Sequence, residues 1–248
     1  MYNMSVFYTK DRADVRIYKT LKFEGFHHYS YGPHANKISS RQRNNGRSKK
    51  TLLNLINANF KKTKCVFITL TFKENLQDLN IANKCFYSYI RKIRRDNPKV
   101  KYLCTIEFQK RGAIHYHILF KNIYNVDYGD YINKWRKTID RSSIAVKGGS
   151  VRVEFIDDAD NLINYISKYI SKAMTNESLC GKKCYLISKG LVRPDFTRRI
   201  IDSRYDLKKL DHYVPEIKNM KLKEQKTYKD SYTEEPIKYL VYEKGNFK

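Results

Sequence analysis

Residues 100–120, VKYLCTIEFQKRGAIHYHILF, constrain the fold more than any other stretch of the chain. Two runs rich in β-branched and aromatic residues, 100–108 and 112–120, are separated by a short polar link carrying Gly112. A sequence written this way returns on itself as an antiparallel hairpin. Side chains alternate along a strand, so His115 and His117 share one face while Ile114, Tyr116, Ile118 and Phe120 point to the other, core face. A hairpin that pairs Glu107 with His115 brings a carboxylate to the two imidazoles, with Cβ atoms roughly 5 Å apart. A facial set of two histidines and one carboxylate leaves coordination positions open, as a metal needs if it must also hold a substrate oxygen. With six histidines in the chain, an H-x-H pair arises by chance about once in seven such sequences. The carboxylate in register and the absence of expected apolar partners on the histidine face therefore carry the assignment of Glu107, His115 and His117 as metal ligands. The competing reading is a pair of surface histidines on an exposed sheet face.

Around this hairpin the periodicities alternate. KCVFITLTF (64–72) reads as a buried strand, and residues 77–95 space Leu79, Ala82, Phe86, Tyr89, Ile90 and Ile93 as a helix that Asn97-Pro98 ends. Residues 127–140 predict a helix around the only tryptophan, Trp135, VRVEFI (151–156) a further strand, and 157–174 a helix. The order strand, helix, hairpin, helix, strand, helix describes an α+β domain with a central, mainly antiparallel sheet flanked by helices. The expected division is a basic N-terminal arm and helix (1–62), a core (63–175) and a loosely packed C-terminal appendage or tail (176–248). Within the arm, residues 36–62 run from a polar, basic segment into a helical pattern. Arg41, Arg43, Arg47, Lys49 and Lys50, with Arg111 in the hairpin link, are candidate DNA contacts; a solvated surface helix is the alternative. His27, His28 and His34 are left without a role, as surface residues.

Residues 161–173, NLINYISKYISKA, contain a tandem YISK. With 21 tyrosines a Y-x-x-x-Y spacing is expected about twice by chance, so the repeated lysine is the more informative feature. On a helix Ile163, Ile166, Ile170 and Ala173 form an apolar stripe, and Tyr165, Tyr169 and Lys172 line up beside it with Lys168 flanking. A phenol ordinarily titrates near 10, so one acting as a nucleophile at neutral pH needs a neighbouring cation. The same spacing also suits tyrosines packed at the edge of a core.

Charge narrows the partners. Lys and Arg number 50 against 25 Asp and Glu, a formal +25, in a chain whose 41% hydrophobic content is that of a folded protein. Such an excess points to a polyanion, nucleic acid first, with 21 Tyr and 12 Phe as stacking faces for unpaired bases; a codon bias toward Lys, Asn, Ile and Tyr supplies a share. Five cysteines in largely apolar settings do not form a disulfide pattern, and Cys180 and Cys184 lack the second pair that a zinc site needs. No stretch approaches a membrane span or a secretory leader, so a cytoplasmic location and no membrane partner are expected.

Together these pieces resemble the HUH endonuclease superfamily (His, hydrophobic, His), most closely the two-tyrosine replication initiators of microviruses. ITLTF (68–72), HYH (115–117) and YISKYISK (165–172) stand in the order of that family's three motifs, and Glu107 lies eight residues before the first histidine, where many members carry an acidic ligand. The resemblance covers Ile68 to Lys172. It implies an RRM/palm-like HUH fold, Mg²⁺ or Mn²⁺ held by Glu107, His115 and His117, and attack on a phosphodiester by Tyr165 or Tyr169 with Lys168 and Lys172 in support. The products would be a 5′-phosphotyrosine and a 3′-hydroxyl that primes rolling-circle synthesis, the second tyrosine later closing the displaced circle. The substrate implied is single-stranded or extruded origin DNA. With no G-x-x-x-x-G-K-[ST] in the sequence, unwinding is expected from a host helicase alongside a host polymerase, in the cytoplasm of a phage-infected cell. A non-catalytic basic protein that coats or packages single-stranded DNA, and a metal-dependent phosphohydrolase using water, are the competing readings.

Overall fold

The computed structural model describes residues 1–23, 37–60, 64–123, 127–140, 149–156, 166, 168–173, 179, 184–202, 204–230 and 233–245, without the side chains of 37–47, 155 and 156. His27, His28, His34, Tyr165 and Cys180, and the side chains of Arg41, Arg43 and Arg47, lie outside the described residues. The chain forms two compact units, residues 36–192 and a second built from residues 1–35 with 193–248.

In the unit 36–192, strands β3 (Cys65–Leu70), β4 (Lys101–Phe108), β5 (Ile114–Lys121), β6 (Val151–Ile156) and β7 (Tyr185–Ile187) form an antiparallel sheet in the order β6-β3-β5-β4-β7. The fold is α+β and consistent with an RRM/palm-like arrangement. The β4–β5 link closes with the Gln109 amide donating to the Ala113 carbonyl at 2.8 Å, and Gly112 takes φ +85°, a left-handed conformation that glycine adopts without a Cβ clash.

Helix α2 (Leu79–Asp96) starts at Asp78, whose carboxylate accepts from the amides of Asn80 and Ile81 at 2.8 and 3.2 Å. It ends with Arg94 and Arg95 in the last turn, where cations complement the helix dipole. Its apolar face and that of α3 (Tyr128–Asp140) cover one side of the sheet, burying Ile68, Ile106, Tyr116, Ile118 and Trp135. Trp135 donates its indole N–H to the Thr71 carbonyl at 2.9 Å, and Gly149 fits beside that bond with no room for a Cβ.

The opposite side, which carries the histidines, is also covered. Helix α1 (Lys37–Asn59) and a helix α4, described at 166 and 168–173, place Leu52, Leu55, Ile56, Phe60, Ile166 and Ile170 against Phe67, Leu103 and Leu119. The histidine face therefore has the apolar neighbours that the sequence reading denied it. Both faces of this sheet are shielded by helices, so β3 and β5 are buried along almost their whole length. The basic segment 36–62 is correspondingly part of the core unit: α1 buries its apolar stripe, and Lys121 donates to the Asn59 carbonyl at 2.8 Å.

The second unit corrects the expected arm and tail. Strands β1 (Tyr2–Tyr8), β2 (Arg12–Lys22), β8 (Asp195–Arg199), β9 (Lys221–Lys229) and β10 (Pro236–Glu243) make another five-stranded sheet, in the order β8-β1-β2-β10-β9. Met4, Val6, Ala13, Val15, Ile17, Leu240 and Tyr242 pack there against Leu210 of a short helix α5 (Leu210–Tyr213), with Val214 and Ile217 after it. The C-terminal segment is thus a folded half of a domain that residues 1–23 complete, and β7 belongs to the first sheet. Among the described residues, no helix is long and apolar enough to cross a membrane.

Candidate active site

The register of β4 and β5 places Glu107 opposite His115, and that of β3 and β5 places Thr69 opposite His117. Because β5 is flanked on both sides, His117 lies between Thr69 and Thr105. Its Nδ1 meets the Thr69 hydroxyl at 3.1 Å, and its Nε2–H donates to Glu107 Oε2 at 2.6 Å, the carboxylate being able only to accept. The other carboxylate oxygen accepts from Lys172 of α4 at 2.7 Å. His115 takes a 3.3 Å contact from the Gln109 side-chain amide at Nδ1. Both imidazoles are buried, at 9% and 5% exposure for His115 and His117.

These contacts set the charges. The hydrogen bond from His117, then the Lys172 ammonium, hold the Glu107 carboxyl down at about 2 against the opposing effect of burial. Burial, the charge of His117 and that of Arg111 push His115 down to about 4, with Glu107 opposing. His115 is therefore a neutral imidazole at pH 7, the form that binds a metal. Lys172, tied to Glu107, has its pKa raised.

Tyr169 completes the cluster. Its ring stacks on His117 with centroids 3.8 Å apart and planes 28° from parallel, and lies 5.7 Å from the Phe67 ring. The Lys172 ammonium is 6.0 Å from the Tyr169 centroid. The helix that carries both is seated by Ile166 and Ile170 in the apolar cluster and by Lys49 of α1, which donates to the Ser171 hydroxyl at 3.0 Å. Lys168 is exposed. Of the expected DNA contacts, Lys49 is thus committed to α4, Lys50 is half-buried, and Arg111 is exposed in the hairpin link.

The structure brings together Glu107, His117, Tyr169 and Lys172, with His115 on the same face. The donor types suit a divalent ion, two neutral-capable imidazoles and one carboxylate. Among the described residues, no three such groups are disposed to hold an ion as they stand. Glu107 spends one oxygen on His117 and the other on Lys172, so ion binding requires those bonds to exchange. Sequence reasoning missed Thr69, Gln109 and Phe67. Thr69 was within reach of it, since alternation along β3 puts Phe67 and Thr69 on one face; Gln109 gave no signal.

Comparison with known proteins bears on the same segment. Residues 65–174 match the family model of the ORF2-type replication-associated proteins. The chain is 30% identical over 135 residues to the Phasyl DNA replicon protein arp of Escherichia coli, an alignment that spans 45% of this chain and 45% of that protein. Among solved structures it is similar to the hypothetical protein ORF119 of Sulfolobus islandicus rod-shaped virus 1, with 21% identity, a TM-score of 0.33, and coverage of 49% of this chain and 93% of that one. The family match and the replicon relative support a role in the initiation of replication. The matched segment contains Glu107, His115, His117, Tyr169 and Lys172.

Proposed function

We propose that the chain is a replication initiator of the HUH type, which nicks single-stranded or extruded origin DNA by tyrosine transesterification and later rejoins the displaced strand. The observation that carries this reading is the stacking of Tyr169 on His117, 3.8 Å between centroids, with Lys172 of the same helix on Glu107. A candidate nucleophile and the candidate metal donors form one cluster.

Glu107, His115 and His117 would hold Mg²⁺ or Mn²⁺, which when bound supplies Lewis-acid polarisation of the scissile phosphate. The protein's own groups do the rest. Thr69 and Gln109 fix the imidazole orientations, as outer partners of metal ligands do. Lys172, once released from Glu107, is the cation nearest the Tyr169 ring and favours its phenolate, with Lys168 one turn away; the covered sheet face limits water around the reacting groups. The phenolic oxygen attacks phosphorus, the bond to the 3′ oxygen breaks, and that oxygen leaves with a proton as a 3′-hydroxyl. Because one phosphoester replaces another, the 5′-phosphotyrosine keeps the bond energy for later rejoining by the reverse step. Tyr165 is assigned the second cut. A host helicase and polymerase would extend the freed 3′ end.

The test is incubation with a single-stranded origin oligonucleotide labelled at its 3′ end, in Mn²⁺, followed by denaturing electrophoresis. A protein–DNA band that survives denaturation, absent in EDTA and absent from the Tyr165→Phe/Tyr169→Phe double variant, is expected. Cleavage with no attached DNA would instead identify water as the nucleophile, and metal-independent binding without cleavage a packaging protein.

A further inference from the structure

The second sheet has a face that the proposed activity does not use. Its other face packs on α5 and the turns around it, so the opposite alternation of each strand defines this one. Across the five strands, one row of register partners reads Arg198, Ser5, Arg16, Tyr239, Lys226: three cations and no carboxylate. Phe196 and Phe7 pair in the row on one side, where Asp14 is neutralised by Arg12 and Glu224 lies 2.8 Å from the Lys226 ammonium. Tyr18, Ile237 and Tyr228 form the row on the other side.

The rings and cations interleave. Arg198 lies 4.7 Å from the Phe196 centroid and 5.1 Å from that of Tyr2; Arg16 lies 5.5 Å from Phe7 and 5.2 Å from Tyr239; Lys226 lies 5.0 Å from Tyr239. Phe196 and Tyr228, toward opposite edges, are each 39% exposed. Arg16 Nη1 has no hydrogen-bond partner, an N–H of a cation that lacks an acceptor in the free protein. Solubility alone explains cations on an open sheet face, but it does not call for aromatic rings between them.

We propose that this face binds single-stranded DNA, with bases stacked on Phe196, Tyr239 and Tyr228 and phosphates met by Arg198, Arg16 and Lys226. A duplex offers no open base faces to such rings, whereas an unpaired strand alternates flat bases with charge at a spacing the sheet can follow. Five strands roughly 4.8 Å apart span about 19 Å, and a sheet of this width stacks about two or three bases. Most of the chain's excess positive charge lies in residues 36–192, so recognition here comes more from stacking than from charge. The choice of DNA over RNA rests on the replication reading; the binding itself does not depend on cleavage.

The experiment uses the full chain in EDTA, where no cut can occur, with fluorescein-labelled dT15 followed by anisotropy across a KCl series. Phe196→Ala and Tyr228→Ala, both at exposed positions, are expected to weaken dT15 binding about tenfold each without changing the salt slope. Arg198→Gln is expected to lower that slope by about one unit. Thermal melts confirm that each variant is folded. Unchanged dT15 affinity in both ring variants, or an equal loss for a 15-base-pair duplex, overturns the stacking surface; U15 RNA bound as tightly as dT15 overturns the assignment to DNA. A chain that forms no covalent adduct yet shows the ring-dependent dT15 losses would sink the nickase while leaving this surface standing.

Discussion

Acidifying the metal-free protein from about pH 7 to about pH 5 is expected to destabilise it through one ring, His115. Folded, that imidazole titrates at about 4, against 6.5 for an ordinary histidine. Between those values the unfolded chain holds a proton that the folded chain does not. Stability therefore rises with pH across this window: the contribution is complete above about 6.5 and is lost as pH falls toward about 4. Integrated from pH 7 to pH 5, the shift is worth about 2 kcal/mol, and solvent at the ring edge reduces this to about 1. For a chain of this length that lowers the melting temperature by about 3 °C. Glu107 acts in a separate, lower window. Its folded value of about 2 lies below the ordinary 4.5, so its contribution is present above about 4.5 and is lost below it, toward about 2. Urea denaturation in EDTA at a series of pH values, on the parent chain and on His115→Asn, isolates the upper window as a difference. The variant should lose about 1 kcal/mol less than the parent between pH 7 and pH 5. Identical losses in the two proteins would refute the assignment of a depressed imidazole to this position.

Tyr169→Phe keeps the ring on His117, so it is expected to cost no more than about 1 kcal/mol in urea denaturation while removing whatever share of the covalent adduct this phenol forms. Lys172→Met removes a half-exposed ion pair of small stabilising value, about 0.5 kcal/mol; Mn²⁺ titration calorimetry is expected to show several-fold tighter binding, since Glu107 Oε1 is released, while adduct yield falls. Gly149→Ala would put a Cβ 2.3 Å from the Thr71 carbonyl oxygen and 2.9 Å from the Trp135 indole nitrogen, both fixed groups, and should destabilise by more than about 2 kcal/mol with an altered tryptophan emission. Asp78→Ala removes the cap of α2 and should cost about 1 kcal/mol in urea denaturation without changing adduct yield.

The parts of the fold legible in the sequence are those decided within some twenty residues. The β4–β5 hairpin is fixed by two β-rich runs and by Gly112 at the one link position with positive φ, and from it the pairing of Glu107 with His115 follows. Helix α2 is legible because one stripe of six apolar side chains and one cap specify it. The second sheet was not legible, because its partners are distant: Arg16 pairs with Tyr239, and Ser5 with Arg198. Its edge strands also hide. β9 is exposed along its whole length and rich in lysine, which protects an edge from pairing with other chains and erases the apolar alternation that marks a strand. The cover over the histidine face was missed for a related reason. Alternation along β5 separates two faces but does not say that helices from both flanks of the sequence, α1 and α4, bury the second one.

That double cover divides the candidate site into two parts with different origins of order. His115, His117, Glu107 and Thr69 stand on β3, β4 and β5, the three inner strands, each paired on both sides, so their spacing is set by the hydrogen-bond ladder. Tyr169 and Lys172 stand on a helix that reaches the sheet through side chains: Ile166 and Ile170 in the apolar cluster, Lys49 on Ser171, and Lys172 on Glu107 itself. A ladder yields little to single substitutions, whereas side-chain packing shifts with each lost methylene. Truncating Leu55 or Ile56 of α1, neither of which touches the donors, should therefore displace the phenol and ammonium from the imidazoles while leaving the register of the donors intact. The same asymmetry suits the proposed reaction, in which the phosphate is held in one place and two phenols four residues apart in sequence take turns at it.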